Sequence, residues 1–494
     1  MNAFPLSRLC IALLLSSTLL AGCMVGPDYQ KPTAPLSATF KEAQGWKAAN
    51  PQDELPKGAW WTLYQDPQLD ALVSQVQLNN QNVALYAAQY QQALALVRQS
   101  RAELFPTLTG TGSSTRSESG TGSSSNGSSS GGSVGSAGGV SKEHSASLDL
   151  SWEADIWGRL RRTNEQDRAS AQASAADLAN ATLSAQSSLA QDYFQLRLLD
   201  QRIALYRETI AGYERYLQII QNKYDEQISS RADLATGKTQ LQSAQASMLD
   251  LQWQRAQLEH AIALLIGKPP ADFALTADPA WQYHVPDVPL GVPSRLLERR
   301  PDIAAAERQM AAANAAVGVA TAAYYPDLTL SASGGYRSST VSNLFSLPNR
   351  FWSIGPSLTG TILDFGATRA GVDQARHAYD ATVATYRQTV LTGLGEVEDY
   401  LVELRTLQPE LEARRNSAQS AEESAAVSRD QYEAGVIDYL DVATTQATSL
   451  NERQTLLSLV ATQLVTSVQL QAALGGSWNP EQPVSMAGGN AVTP

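Results

Sequence analysis

The residues from Ser145 to Tyr224 constrain the fold most. Ser145-Ala146-Ser147-Leu148-Asp149-Leu150-Ser151-Trp152-Glu153-Ala154 alternates polar with apolar. Period two predicts a strand with one wet and one apolar face. After Asp155-Ile156-Trp157-Gly158 the period changes. Apolar residues fall at Leu199, Ile203, Tyr206, Ile210, Tyr213, Leu217, Ile220 and Tyr224, in steps of four and three, the seam of a coiled coil. An unbroken helix from Gly158 to Tyr224 would span roughly 100 Å at 1.5 Å per residue. That is too long for an ordinary globular domain and predicts a tube, stalk or fibre.

The N-terminus predicts export. Arg8 precedes a short apolar core and then Leu20-Ala21-Gly22-Cys23, so residues 1–22 read as a signal peptide and Cys23 as the lipidated first residue of the mature chain. The apolar run is too short for a membrane span. Cleavage would remove Cys10 and leave Cys23 as the only cysteine of the two, so no intrachain disulfide is expected. A formal charge of −12 and the lack of a basic run argue against nucleic acid as a partner.

Residues 23–66 form an extended lipidated segment. Asp66-Pro67 predicts a helix start, with Asp66 as N-cap and Pro67 in the first turn, running to Phe105 before Pro106. Strands are expected at about 106–112 and 145–154. Gly112 to Ser141, almost wholly Ser and Gly, reads as a mobile loop. The long helix turns at Tyr224–Ser230 and a second helix returns to Gly267, before Pro269-Pro270. The first repeat thus covers 67–268, and a Pro-rich crossover occupies 269–293.

The chain then repeats itself over 294–476, followed by a tail at 477–494. Shifted by 220, Phe105-Pro106-Thr107-Leu108-Thr109 meets Tyr325-Pro326-Asp327-Leu328-Thr329. Shifted by 208, Gly158 meets Gly366, Tyr224 meets Tyr432, Asp233 meets Asp441, and Ile266-Gly267 meets Leu474-Gly475. Matching strands are expected at about 326–336 and 352–362, with Ile362 on the apolar face. The fold class is α+β and internally duplicated: short helix, two strands and a long helical hairpin, twice.

Four amphipathic strands cannot close a barrel, and an open edge cannot sit in lipid. In an exported chain anchored by lipid, the bilayer is the natural cover for their apolar faces. Closure requires several chains, and three would give twelve strands, an even number within the known range. Trp152, Trp157, Tyr324, Tyr325, Tyr336 and Trp352, with Phe351, fall at or near strand ends, as an aromatic girdle would. Ser147, Asp149, Ser151, Thr359 and Thr361 would face a water-filled lumen. The competing reading is that the aromatics pack a soluble core.

The order of these features resembles that of TolC-like outer-membrane factors of the OprM-type lipoprotein branch. The resemblance rests on the lipobox at Cys23, Trp60-Trp61 with Asp66-Pro67, Arg300-Pro301-Asp302-Ile303-Ala304, Tyr324-Tyr325-Pro326, Asp364-Phe365-Gly366, Tyr432 with Gly435, and Leu474-Gly475-Gly476. It implies a homotrimer with a twelve-strand transmembrane β-barrel, continued by a periplasmic α-helical coiled-coil barrel. An equatorial region would form from residues 23–66, the crossover and the C-terminus. The partners implied are a periplasmic adaptor protein and an inner-membrane efflux pump, of the RND type. The function implied is that of a passive trimeric duct for drugs or other small molecules.

A tunnel open to the periplasm would leak, so a gate is expected where the long helices turn. Asp438, Leu440 and Asp441 are the candidates: two acidic residues three apart, on one helical face if both are helical, and an apolar plug. Family members carry an Asp and an Arg just beyond, where this chain has Thr444 and Ala447. Gln227, Ile228 and Ser229, with Gly435, Val436 and Ile437, are the candidate adaptor contacts by resemblance.

No enzyme or cofactor signature emerges. His144, His260, His284 and His377 are scattered, without metal-ligand spacing. Gly131-Gly132-Ser133-Val134-Gly135 matches a nucleophile-elbow pattern by chance inside the Ser/Gly tract. The alternatives are a protein-secretion duct of the same architecture and a lipid-anchored coiled-coil stalk.

Overall fold

The computed structural model describes residues 24–34, 37, 39–42, 59–118, 140–286, 299–476 and 478. Cys23 and the signal segment, residues 119–139 of the Ser/Gly tract, the chance elbow motif, the later part of the crossover and the tail beyond 478 lie outside the described residues.

The described elements come in the order α1 (Pro67–Asn79), α2 (Gln81–Ala102), β1 (Thr107–Glu118), β2 (Val140–Ala154), α3 (Arg159–Asp225), α4 (Arg231–Leu265), α5 (Pro301–Ala322), β3 (Asp327–Ser338), β4 (Arg350–Thr359), α6 (Ala367–Glu433) and α7 (Tyr439–Ala473). The chain divides into two compact units. One comprises Met1–Lys31, Gln92–Ala171 and Gln309–Val383; the other comprises Pro32–Gln91, Gln172–Arg308 and Ala384–Pro494.

The first unit is organised on a four-stranded sheet of order β1-β2-β3-β4, with every neighbouring pair antiparallel. Register is set by alternation. Leu108 stands opposite Leu150, and Leu328 opposite Leu358, so the apolar residues share one face. Ser147, Asp149, Ser151 and Thr359 lie on the other. The twelve residues of β3 extend about 40 Å at about 3.3 Å each, or about 30 Å at a tilt of ~40°, the thickness of a bilayer core.

The strand ends correct the sequence-based boundaries. β1 reaches Glu118 and β2 starts at Val140, so the strands invade the tract expected to be loop. Backbone pairing needs no apolar side chain, and Ser113–Ser145 and Ser117–Ser141 add cross-strand hydroxyl bonds of 2.8 Å. β4 spans 350–359 rather than 352–362, which leaves Thr361 and Ile362 beyond its end.

In the second unit the helices bury a large cluster that includes Trp60, Tyr64, Leu69, Leu189, Tyr193, Phe194, Leu464 and Val468. Asp66 caps α1 as expected, accepting from the amides of Gln68 and Leu69 at 2.9 and 3.2 Å. The helix expected from 67 to 105 is broken at Asn80. Its side-chain oxygen accepts from the amides of Asn82 and Val83 and so caps a new helix, while its amide group donates to the Leu265 carbonyl at 2.8 Å. The 67-residue helices α3 and α6 are continuous.

The four helices of the two long hairpins end alike. Gln227, Gly267, Gly435 and Gly475 take positive φ of 65°, 71°, 75° and 91°. The following amide in each case bonds back five residues, as Ile228 does to Lys223 and Val436 to Gln431. These are Schellman motifs, which satisfy the last carbonyls of a helix.

Candidate functional site

The turns between α3 and α4 and between α6 and α7 occupy equivalent positions but are built differently. In the first, Ser230 and Asp233 form a capping box. The Asp233 amide donates to the Ser230 hydroxyl at 3.1 Å, and Asp233 Oδ2 accepts from the Ser230 amide at 3.0 Å. The hydroxyls of Ser230 and Ser229 also donate to Oδ2, at 2.8 and 3.0 Å. Burial alone would raise the Asp233 carboxyl, but these hydrogen bonds outweigh it and hold the group below its usual range. In the second turn the equivalent residues are Asp438 and Asp441. Asp438 is the N-cap in extended conformation, and its side chain makes no cap bond. The premise that Asp438 and Asp441 share a helical face therefore fails, because Asp438 precedes the first turn. Both are exposed, as is Leu440.

Tyr439 anchors this turn. It is buried against Tyr432 with ring centres 5.8 Å apart, and Lys223 Nζ lies 4.2 Å from the Tyr432 ring centre. Its hydroxyl donates to Gln240 Oε1 at 2.9 Å, and Gln240 Nε2 donates to the Ala443 carbonyl at 2.9 Å, tying α7 to α4. Beyond it, Leu440, Thr444, Ala447, Thr448 and Asn451 share a groove with Thr236 and Gln240. The hydroxyls of Thr444 and Thr448 donate to carbonyls of their own helix, and the lining carries no charged residue.

Of the six candidate adaptor contacts, Gln227, Ile228, Gly435 and Val436 are exposed, with Ile228 at 69% and Val436 at 72%. Ser229 is turned toward Asp233, and Ile437 packs against the Tyr439 cluster.

The girdle candidates fall at two ends of the sheet. Trp152 donates to the Leu104 carbonyl and Trp157 to the Pro326 carbonyl, both at 3.0 Å, and Trp157 stacks on Tyr325 at 4.5 Å. Tyr324 and Tyr325 are exposed beside them. Trp352 and Tyr336 stand at the opposite end, where Trp352 is 74% exposed and Tyr336 meets Phe345 edge-on. The apolar residues Leu108, Leu148, Leu150, Leu330, Ile354 and Leu358 are exposed between these ends. The rival membrane candidate is α7, which is apolar enough to cross a bilayer, but half of its apolar window is buried in the protein.

The first described residues are seated at the corner between β2 and α3. The Val25 amide donates to the Trp157 carbonyl at 3.0 Å. Met24 packs on Gly158, where an added Cβ would approach Met24 Cγ to 2.6 Å. The buried Arg162 donates to Asp28 and Glu165 at 2.8 Å and to the carbonyls of Val25 and Gly26 at 3.3 Å.

Sequence reasoning missed the ionic networks. Asp200, fully buried, accepts from Arg197 at 2.9 Å and Arg255 at 2.6 Å and from the Asp278 amide at 3.1 Å. Arg197 also bonds Gln68 and the Thr276 carbonyl. Asp66 receives the Tyr193 hydroxyl and the Trp281 indole at 2.7 and 2.8 Å. Together these fasten the crossover to α1, α3 and α4. The available signal is a charged pair, Arg197 inside the apolar run Tyr193–Leu199 and Asp200 immediately after it. Among the described residues no cluster of His, Cys, Asp and Glu could hold a metal.

A duplicated chain whose strands expose their apolar residues on one face, and whose hairpins run far beyond globular length, defines an outer-membrane channel protein. The chain belongs to the outer membrane efflux protein family, which it matches over residues 72–268 and 292–476, one block per repeat. It is an outer-membrane efflux protein, of a family of channels rather than enzymes. It is 31% identical over 469 residues to the solvent efflux pump outer membrane protein SrpC of Pseudomonas putida, covering 94% of this chain and 97% of that one. It is 28% identical over 479 residues to the cation efflux system protein CusC of Escherichia coli K12, covering 96% and 100%. Its fold matches the solved outer-membrane channel OprN with a TM-score of 0.82 at 28% identity, covering 92% of this chain and 99% of that one.

Proposed function

We propose that three copies of this chain close a twelve-strand barrel in the outer membrane, continued by a tunnel of their paired helices into the periplasm. The assembly is the passive exit duct of a tripartite efflux system. It docks through a periplasmic adaptor to an RND-type inner-membrane pump. The observation that carries this reading is the sheet: β1 and β4 are bare edges and one face is apolar and exposed, so the sheet needs both more strands and lipid. Cys23 carries the lipid anchor, a reading supported by the seat of the neighbouring Met24 and Val25 at the strand–helix corner.

The named relatives export chemically unlike solutes, a solvent in one case and cations in another. A polar, generic wall suits such breadth, and selection falls to the pump. Asp438, Leu440 and Asp441 form the periplasmic gate, and Gln227, Ile228, Gly435 and Val436 present the adaptor contact, with Ser229 and Ile437 supporting it from behind.

Single-channel recording in planar bilayers tests the reading. The expected result is a small conductance that rises on addition of adaptor, and an altered, less cation-selective conductance for Asp438→Ala/Asp441→Ala. Unchanged conductance and selectivity in that double variant would remove the acidic gate. No conductance from any variant of trimeric protein would remove the duct.

A further inference from the structure

The sheet contains the template for its own closure. Within the chain, β2 pairs with β3 so that Ser151 stands opposite Ser331 and Ala154 opposite Leu328. The repeat shifts of the sequence hold in the strand pairing. Thr107 faces Ser151 in the first hairpin, and their equivalents at shifts of 220 and 208, Asp327 and Thr359, face each other in the second. β4 is therefore a second β2, and β1 a second β3. The one junction of the β2–β3 kind that the chain cannot make alone is that between β4 and β1, and both edges are bare.

We infer that β4 of one copy pairs antiparallel with β1 of the next in the register copied from β2–β3, Thr359 opposite Thr111, with the Phe365 ring closing on Phe105 of the neighbouring copy. This rests on the reading that several copies close one barrel. Thr111 and Thr359 both lie on the polar face, so the copied register keeps every side chain on its own side of the wall.

The residues just outside the strands carry the same message. Trp157 follows β2 and stacks on Tyr325, which precedes β3. Their equivalents are Phe365 and Phe105. Phe365 is 93% exposed and Phe105 61% exposed in the single chain. The copied register also gives Ile362 a partner, Leu108, as Ala154 has in Leu328. It extends β4 by three residues, to the length at which β2 ends. Ile362, at 101% exposure, is thus a strand residue awaiting its partner. Phenylalanine lacks the indole donor by which Trp157 bonds the Pro326 carbonyl, so the seam between copies is a ring contact without that hydrogen bond.

Cysteine pairs read the register directly. Opposed residues of an antiparallel pair have Cα atoms about 4.5–5.5 Å apart, within disulfide range. The variant Thr111→Cys/Thr359→Cys, oxidised mildly in membranes, is expected to give covalently linked copies on a denaturing gel. The slipped control Thr109→Cys/Thr359→Cys is expected to give roughly five-fold less, since its Cα separation leaves that range. Phe365→Ala is expected to lower the temperature at which the assembly dissociates, and Phe365→Trp to restore it. Stronger crosslinking in the slipped control, from protein that still runs as a trimer, would overturn the register and leave the barrel reading standing. Monomeric behaviour of the unsubstituted protein in membranes would overturn both.

Discussion

Gln227 and Gly435 are the same residue position in two repeats: each ends an outgoing long helix in left-handed conformation, with φ of 65° and 75°. The geometry is imposed by the Schellman turn, whether or not the side chain suits it. For a residue with a Cβ the left-handed region costs about 1–2 kcal/mol. Gln227→Gly is therefore expected to stabilise the first turn by up to about 1 kcal/mol, and Gly435→Gln to destabilise the second by about 1 kcal/mol. Amide hydrogen exchange at the two tips would resolve these effects separately.

The two turns should also differ in their response to loss of the cap. Ser230→Ala removes the capping box and is expected to cost about 1 kcal/mol. Asp438→Ala, at the equivalent site, removes no cap bond and is expected to cost less than about 0.5 kcal/mol. A thermal melt in which Asp438→Ala is the more damaging would show that Asp438 has a stabilising partner in the assembly.

Asp200 lies at zero exposure between two arginines. Asp200→Ala leaves both guanidinium groups in the interior without their shared carboxylate and is expected to cost about 3–5 kcal/mol. The crossover should loosen with it, since the Asp278 amide and the Thr276 carbonyl belong to the same network. Limited proteolysis within the crossover provides the readout.

Burial pushes the Asp192 carboxyl up to about 6. Its folded pKa lies above the unfolded value, so the native state holds more protons between about pH 4 and pH 6, and stability falls as pH rises through that window. Asp192→Asn is expected to stabilise the folded state at pH 7.5 by on the order of 1 kcal/mol, because the site is partly solvated, seen as a higher melting temperature there, and to change little at pH 4. Equal effects at both pH values would show that charge is not the cause.

Much of this was legible before any coordinates. Alternation from Ser145 gave the faces of the sheet, the shifts of 208 and 220 gave the second repeat, and Asp66-Pro67 gave a helix start. These signals are local or periodic. The far end of β1 is not legible because Ser and Gly carry no hydrophobic pattern, although their backbone pairs as well as any other. The break at Asn80 was missed because its cause is a side chain reaching forward to two amides and across to Leu265. The Asp200 network joins residues far apart in sequence that follow no period. At the gate candidates the spacing of Asp438 and Asp441 leaves the helix start open: the helix begins at Tyr439, with Asp438 as its N-cap.

Met24 and Val25 have a further consequence. With Met24 wedged on Gly158 and Val25 bonded to Trp157, the chain is fixed to the protein from Met24 onward. An acyl chain on Cys23 would therefore have no slack. It would act as a depth stop rather than a leash, sharing any axial pull from the periplasmic machinery with the strands at the same moment instead of tightening only after they had begun to slip.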